Sequence, residues 1–127
     1  MKWFVDRGDH VIRIVRRRKM DADDKRKVLA DHLAEFRDWS YETLVAEIDR
    51  TRGAHDCLRH AEGVFHDGTE YQLEFNVFWD DKRGGDIRVC GDISTEPQRR
   101  LLRILPIYLP DATDSFIMAP DGSFVGE

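Results

Sequence analysis

The chain has 127 residues, of which 41% are hydrophobic and 35% are charged, and its formal net charge is −5. This length predicts one domain, and the hydrophobic share suffices for a core. No apolar run approaches the ~20 residues of a membrane helix, and no signal-peptide pattern follows the N-terminus. With only two cysteines, we expect a cytoplasmic protein with reduced thiols and no membrane association.

Charge is unevenly distributed along the chain. Residues 1–20 carry seven basic side chains against two acidic ones, a balance of +5, so the remainder carries −10. We treat residues 1–20 as a basic N-terminal arm or an extra strand, and residues 21–127 as a single domain. Opposite charges at the two ends could attract within one fold or across a dimer.

The densest basic cluster is a candidate contact for nucleic acid or for a protein partner, and it consists of Arg16, Arg17, Arg18 and Lys19. Nucleic-acid binders usually present a basic face, whereas this chain is acidic as a whole. The sequence therefore favours a protein contact or a solvated cluster at these residues over nucleic-acid binding.

Two helices are predicted in the first half of the chain. The run VIRIV at 11–15 is typical of a strand or of the start of a helix, and both alternatives stay open. Asp21 or Asp23 can cap a helix over 22–38, whose apolar stripe consists of Val28, Leu29, Leu33 and Phe36. Ser40 can cap a second helix that ends near Gly53.

Strands and turns are predicted in the second half. Strands are expected at 58–65, 70–79 and 86–93, with an Asp-Gly turn at 66–69 and a short hairpin over 116–125. Residues 101–109, interrupted by Pro106, predict an edge strand, a bulge or a helix-to-strand junction. Together these elements predict an α+β fold, with helices packed on an antiparallel, mostly meander sheet in two layers.

The tip between the two longest strands is the first candidate site. It carries three carboxylates beside two glycines, DDKRGGD at 80–86. Such groups could bind a divalent cation or perform acid/base chemistry. However, Asp and Gly are also the residues that build turns, and the spacing is not that of an EF-hand loop. We therefore interpret the tip as a charged turn.

Other chemical motifs are weak. A zinc site needs four converging ligands. Cys57 and His60 have the C-x2-H spacing of one ligand pair, with His55 and His66 nearby, but the chain contains no second pair of this kind. No serine lies in a nucleophile elbow, and no glycine-rich phosphate loop occurs. The sequence thus predicts no metal, no cofactor and no catalytic residue.

Apolar side chains on both faces of one strand end give the second candidate site. Phe78 breaks the polar face of the strand 70–79, while its neighbour Trp79 lies on the other face. A partner, a pocket or a second small core cluster would each account for this pattern. The candidate binding residues are Phe78, Trp79, Asp80, Asp81, Asp86 and Arg88.

Three segments resemble a group of small bacterial proteins of unknown function: SYETLVAEI at 40–48, GTEYQLEFNVFWDDKRGGDIRV at 68–89 and DSFIMAPDGSFVGE at 114–127. The shared pattern has the form WDD, GGDIRV and FIxAPDGSFVGE. The resemblance covers residues 40–127 and implies no activity. At 94–106 this chain has STEPQRRLLRILP where the pattern leads us to expect a short glycine-containing turn.

The sequence as a whole predicts a non-enzymatic module that binds another protein or self-associates, since no catalytic constellation is present. The alternative is a small-molecule-binding or hydrolytic domain with a pocket between helix and sheet. That alternative would use Asp80, Asp81, Asp86, Arg88 and a histidine.

Overall fold

The computed structural model describes residues 19–53, 56–95 and 110–127 with their side chains, and the backbone of residues 2–8 and 11–17. In chain order, the elements are β1 (Lys2–Gly8), β2 (Val11–Arg17), α1 (Ala22–Arg37), α2 (Tyr41–Thr51), β3 (Arg59–Val64), β4 (Glu70–Trp79), β5 (Ile87–Thr95) and β6 (Ala112–Met118). The prediction for residues 101–109 lies outside the described residues.

Four strands form an antiparallel meander in the order β3-β4-β5-β6, and both helices contact this sheet. This confirms the predicted α+β fold. A separate two-stranded sheet precedes the helices, in which β1 pairs with β2 from Lys2↔Arg17 to Gly8↔Val11. The segment VIRIV, for which strand and helix were both open, therefore lies in a strand.

Local signals explain where the helices begin and end. Asp21 is the N-cap of α1 and forms a capping box with Asp24, and Ser40 caps α2 by accepting a hydrogen bond from the Thr43 N–H. Gly53 follows α2 with φ +72°, a conformation that favours glycine at a helix end. The predicted Ser40 cap and Gly53 stop are both confirmed.

The core lies between the helices and one face of the sheet. On the helical side it is built from Leu29, Leu33, Phe36, Leu44 and Ile48, and on the sheet from Leu73, Phe75, Val77, Ile87, Val89, Ile93, Phe116 and Met118. Cross-strand pairs Leu73↔Ile93 and Val77↔Val89 place these side chains on the same face. The period of two in β4 thus determines which face of the sheet the helices cover.

The chain forms a β-bulge at the start of β3, the first strand of the meander. Arg59 pairs with Phe75, and the Leu58 N–H also donates to the Phe75 carbonyl at 2.8 Å. Two residues therefore lie opposite one, which is the pattern of a β-bulge. Leu58 is buried as a result.

The β3–β4 turn holds the start of the first helix through one carboxylate. Asp67 is buried and accepts hydrogen bonds from the Met20 N–H at 3.0 Å and the Thr69 N–H at 2.8 Å. Burial disfavours the charged form, but the hydrogen bonds from Thr69 and Met20 outweigh it and lower the pKa of Asp67 to about 2.

The C-terminal residues close over the end of α1. The Arg37 guanidinium lies over the rings of Phe116 at 4.9 Å and Phe124 at 4.7 Å, and its Nη1 donates to Glu127 Oε1 at 2.7 Å. Phe124 meets Phe116 edge to face, with ring centroids 5.7 Å apart. The last residues are therefore part of the packed structure.

Candidate functional site

The sheet has a second face, turned away from the helices. Strand alternation places on it the even-numbered residues of β4 and β5, and the register aligns Asn76 with Cys90 and Phe78 with Arg88. Across β6, Arg88 pairs with Ile117 and Cys90 with Ser115. Phe78, Arg88 and Ile117 thus form one row across three strands.

Exposure varies along this face. At the end near the β3–β4 turn, Ser94 is fully buried, and its Oγ has no hydrogen-bond partner among the described residues. At the opposite end, Phe78 keeps 43% of its surface exposed. The face is therefore accessible at the end that carries Phe78, and at the other end along the edge strand β3, where Val64 keeps 66% of its surface exposed.

Arg88 is held in place beside Phe78. Its Nε donates to Asp80 Oδ1 at 2.8 Å and its Nη1 donates to Ser115 Oγ at 3.0 Å. These bonds use two of its five N–H donors, and the other three have no acceptor among the residues described. The guanidinium is therefore positioned by two hydrogen bonds, and the Arg88 side chain keeps 35% of its surface exposed.

The tip loop borders this row. The Asp80 N–H donates to the Asp86 carbonyl at 2.9 Å, which closes the loop, and Tyr41 of α2 donates its hydroxyl hydrogen to the Gly85 carbonyl at 2.7 Å. Asp81, Lys82 and Arg83 are exposed at the tip. We call the row Phe78, Arg88 and Ile117 together with the tip residues 80–86 the Phe78 patch.

The structure brings most of the candidate binding residues together, but not all of them. Phe78, Asp80 and Arg88 are adjacent, whereas Trp79 lies on the helix side, packs against the core and contacts Tyr41 with ring centroids 6.5 Å apart. Sequence reasoning missed Ile117 and Ser115, because nothing local indicates that β6 lies beside β5.

The basic cluster is only partly described. Arg16 and Arg17 end β2, Lys19 is exposed, and Arg18 lies outside the described residues. Of the zinc ligand candidates, His55 also lies outside them. In the part of the chain with described side chains, no three His, Cys, Asp or Glu residues are grouped as a metal site would require.

The two cysteines are free thiols with little nucleophilic character. Burial raises the pKa of both, assisted by Glu74 near Cys57 and by Asp92 near Cys90. Because the thiolate is the reactive form, both side chains are predominantly protonated at neutral pH.

A small cavity lies elsewhere, at the end of the β3–β4 hairpin. Its volume is about 180 Å³, and it is lined by Glu62, Gly63, Val64, Glu70 and Tyr71. None of the residues proposed for the small-molecule or hydrolytic alternative lines it. The carboxylates of that alternative lie instead around the tip loop, where Asp81 is exposed.

No helix within the described residues has the length and apolar character needed to cross a membrane. Comparisons with protein-family models, with curated proteins and with solved structures found no match for this chain. The resemblance of its motifs to a bacterial group therefore stays a prediction.

Proposed function

We propose that this protein is a non-enzymatic binding module that recognises a protein chain through the Phe78 patch. The observation that carries the proposal is the pairing of a 43% exposed Phe78 with an arginine fixed by Asp80 and Ser115. Aromatic residues and arginine are enriched at the centres of protein interfaces, where a few of them carry most of the binding energy.

The patch is suited to binding because its parts are already ordered. Phe78, Arg88 and Ile117 stand on three paired strands of the sheet, so little conformational entropy remains to be lost on association. Covering the exposed part of Phe78, roughly 90 Å², would contribute about 2 kcal/mol at 25 cal/mol per Å². A protein surface with an apolar group and a hydrogen-bond acceptor would satisfy both Phe78 and Arg88.

We further propose a cytoplasmic location. Both Cys57 and Cys90 are free thiols, and free thiols are typical of proteins in a reducing compartment.

Site-specific photo-crosslinking tests the function. A photoreactive phenylalanine analogue is placed at position 78 and, in a second variant, at position 64, because Val64 is 66% exposed and lies beside the β3–β4 turn, at the other end of β4 from Phe78. After irradiation in the native cell, we expect a discrete protein adduct from position 78 that is absent from position 64. Replacing Arg88 with Ala should weaken this adduct.

Equal adduct yields from the two positions, or no adduct from position 78, would refute a binding role for the patch. Thermal denaturation of each variant shows that the fold is kept. We expect Phe78→Ala to lower the free energy of unfolding by about 1–2 kcal/mol and to leave the chain folded, because more than half of the Phe78 surface is already covered in a paired strand.

A further inference from the structure

We infer that the occupant of the Phe78 patch is a second copy of this chain, related to the first by a two-fold axis. The inference rests on the proposed function and names the partner. It follows from the local balance of charge, which differs from that of the whole molecule.

On the side of the tip loop, the border of the patch contains equal numbers of acidic and basic groups. Three carboxylates and three cationic side chains lie in the loop and at the start of β5: Asp80, Asp81, Asp86, Lys82, Arg83 and Arg88. The chain as a whole carries −5. A strongly acidic or strongly basic partner would bring like charges together at this border, and like-charge contacts disfavour association.

A second copy avoids this conflict. In a two-fold interface the same patch lies on both sides, and every contact between a residue of one copy and a residue of the other occurs twice. Asp80 and Arg88 are already paired within each copy, and the remaining two acids and two bases of the tip, Asp81, Asp86, Lys82 and Arg83, can pair between the copies. The rest of the molecule is acidic, so two copies repel each other over most of their surfaces and meet most favourably where the net charge is zero.

The apolar centre fits the same arrangement. Phe78 and Ile117 are separated by one strand, β5, which at about 4.8 Å per strand places them roughly 10 Å apart. A two-fold axis that passes over Phe78 sets the Phe78 rings of the two copies against each other, and the two Arg88 side chains then lie on opposite sides of the axis. Because the patch is small, we expect a reversible dimer with a dissociation constant in the micromolar range or weaker.

A charge-swap experiment tests the inference. Asp81→Lys changes the net charge of the tip and its Arg88 partner from zero to +2, and Arg83→Glu changes it to −2; both positions are exposed, so the fold is expected to persist. Sedimentation velocity up to about 1 mM measures dimerisation of the wild-type chain, of each variant and of their equimolar mixture, with circular dichroism to verify folding.

We expect the wild-type chain to dimerise with concentration, each charge variant to dimerise at least tenfold more weakly, and the mixture to recover wild-type dimerisation as a heterodimer. Phe78→Ala should abolish the dimer, whereas Val64→Ala, at the other end of the sheet, should leave it unchanged. A wild-type chain that stays monomeric, or a mixture that associates no better than its components, would overturn the inference.

The photo-crosslinking adduct separates this inference from the proposed function. An adduct with twice the mass of the chain supports both. An adduct that contains a different protein overturns the second-copy inference but leaves the binding role of the patch intact. The absence of any adduct specific to position 78 overturns both.

Discussion

Replacement of Gly91 by Ala probes how tightly the sheet packs on α1. Gly91 lies opposite Phe75, and a Cβ atom there would approach Phe75 Cε1 to 2.5 Å, Phe75 Cδ1 to 2.8 Å and Leu29 Cδ2 to 3.2 Å. Both neighbours are fully buried. The added methyl group therefore has no space unless the core shifts.

The expected magnitude follows from two opposing effects. Overpacking a buried site costs about 1–3 kcal/mol, while alanine reduces the entropy of the unfolded chain and returns about 0.4–1 kcal/mol. We expect Gly91→Ala to lower the free energy of unfolding by about 1–2 kcal/mol. For a slope near 2 kcal/mol per M, the urea midpoint falls by about 0.5–1 M.

Gly63→Ala is the matched control. Gly63 is also a strand glycine opposite an aromatic residue, and a Cβ there would collide with the end of the Tyr71 ring. Tyr71 is only partly buried, so its ring can rotate away at small cost. Urea denaturation of both variants should show the larger loss for Gly91→Ala. An equal or larger loss for Gly63→Ala would refute the view that Phe75 is held rigidly.

Two further predictions concern the ends of α1. Because the folded pKa of Asp67, about 2, lies below its ordinary value of 3.8, its charge stabilises the fold above pH 4 and this stabilisation disappears as the pH falls from 4 to 2. Asp67→Asn should therefore lower the free energy of unfolding by about 1–2 kcal/mol at pH 7 and by much less at pH 2. Urea titrations at both pH values measure this difference. An equal loss at the two pH values would contradict a stabilising role for the Asp67 charge. Phe124→Ala removes the ring contacts with Phe116 and Arg37 and should cost about 1–2 kcal/mol, whereas Val125→Ala should change stability by less than about 0.5 kcal/mol. Similar losses in thermal unfolding would show that Phe124 does not hold the C-terminal residues against α1.

The elements with strong periodicity were predicted well. The strand 70–79 was predicted with the bounds that the structure has, and the α1 prediction, 22–38, differs from Ala22–Arg37 by one residue. Both carry several apolar residues at regular spacing, so burial and local pattern agree.

The start of β6 was not predicted, because the hairpin was expected only from residue 116, whereas the strand begins at Ala112. Residues 112–115, Ala-Thr-Asp-Ser, include types that are depleted in strands. They are extended because they pair with β5, from Ile93↔Ala112 to Cys90↔Ser115. Pairing with a neighbouring strand is a tertiary effect that a local pattern does not contain.

The candidate site was likewise predicted where the signal is local and missed where it depends on tertiary contacts. Phe78 stood out because it interrupts the polar positions of its strand, and 43% of its surface is exposed in the structure. The contact between Tyr41 and Gly85, by contrast, joins residues 44 positions apart. No periodicity or turn signal predicts such a contact, since it depends on where α2 packs against the sheet.

The outer edge of β6 limits how this sheet can grow. The Ile117 carbonyl accepts the Val125 N–H at 2.9 Å, and the Ser115 N–H donates to the Asp114 side chain at 2.8 Å. A strand from another molecule would have to displace both bonds before it could extend the ladder here. The folded chain is thus a poor template for β-aggregation along this edge.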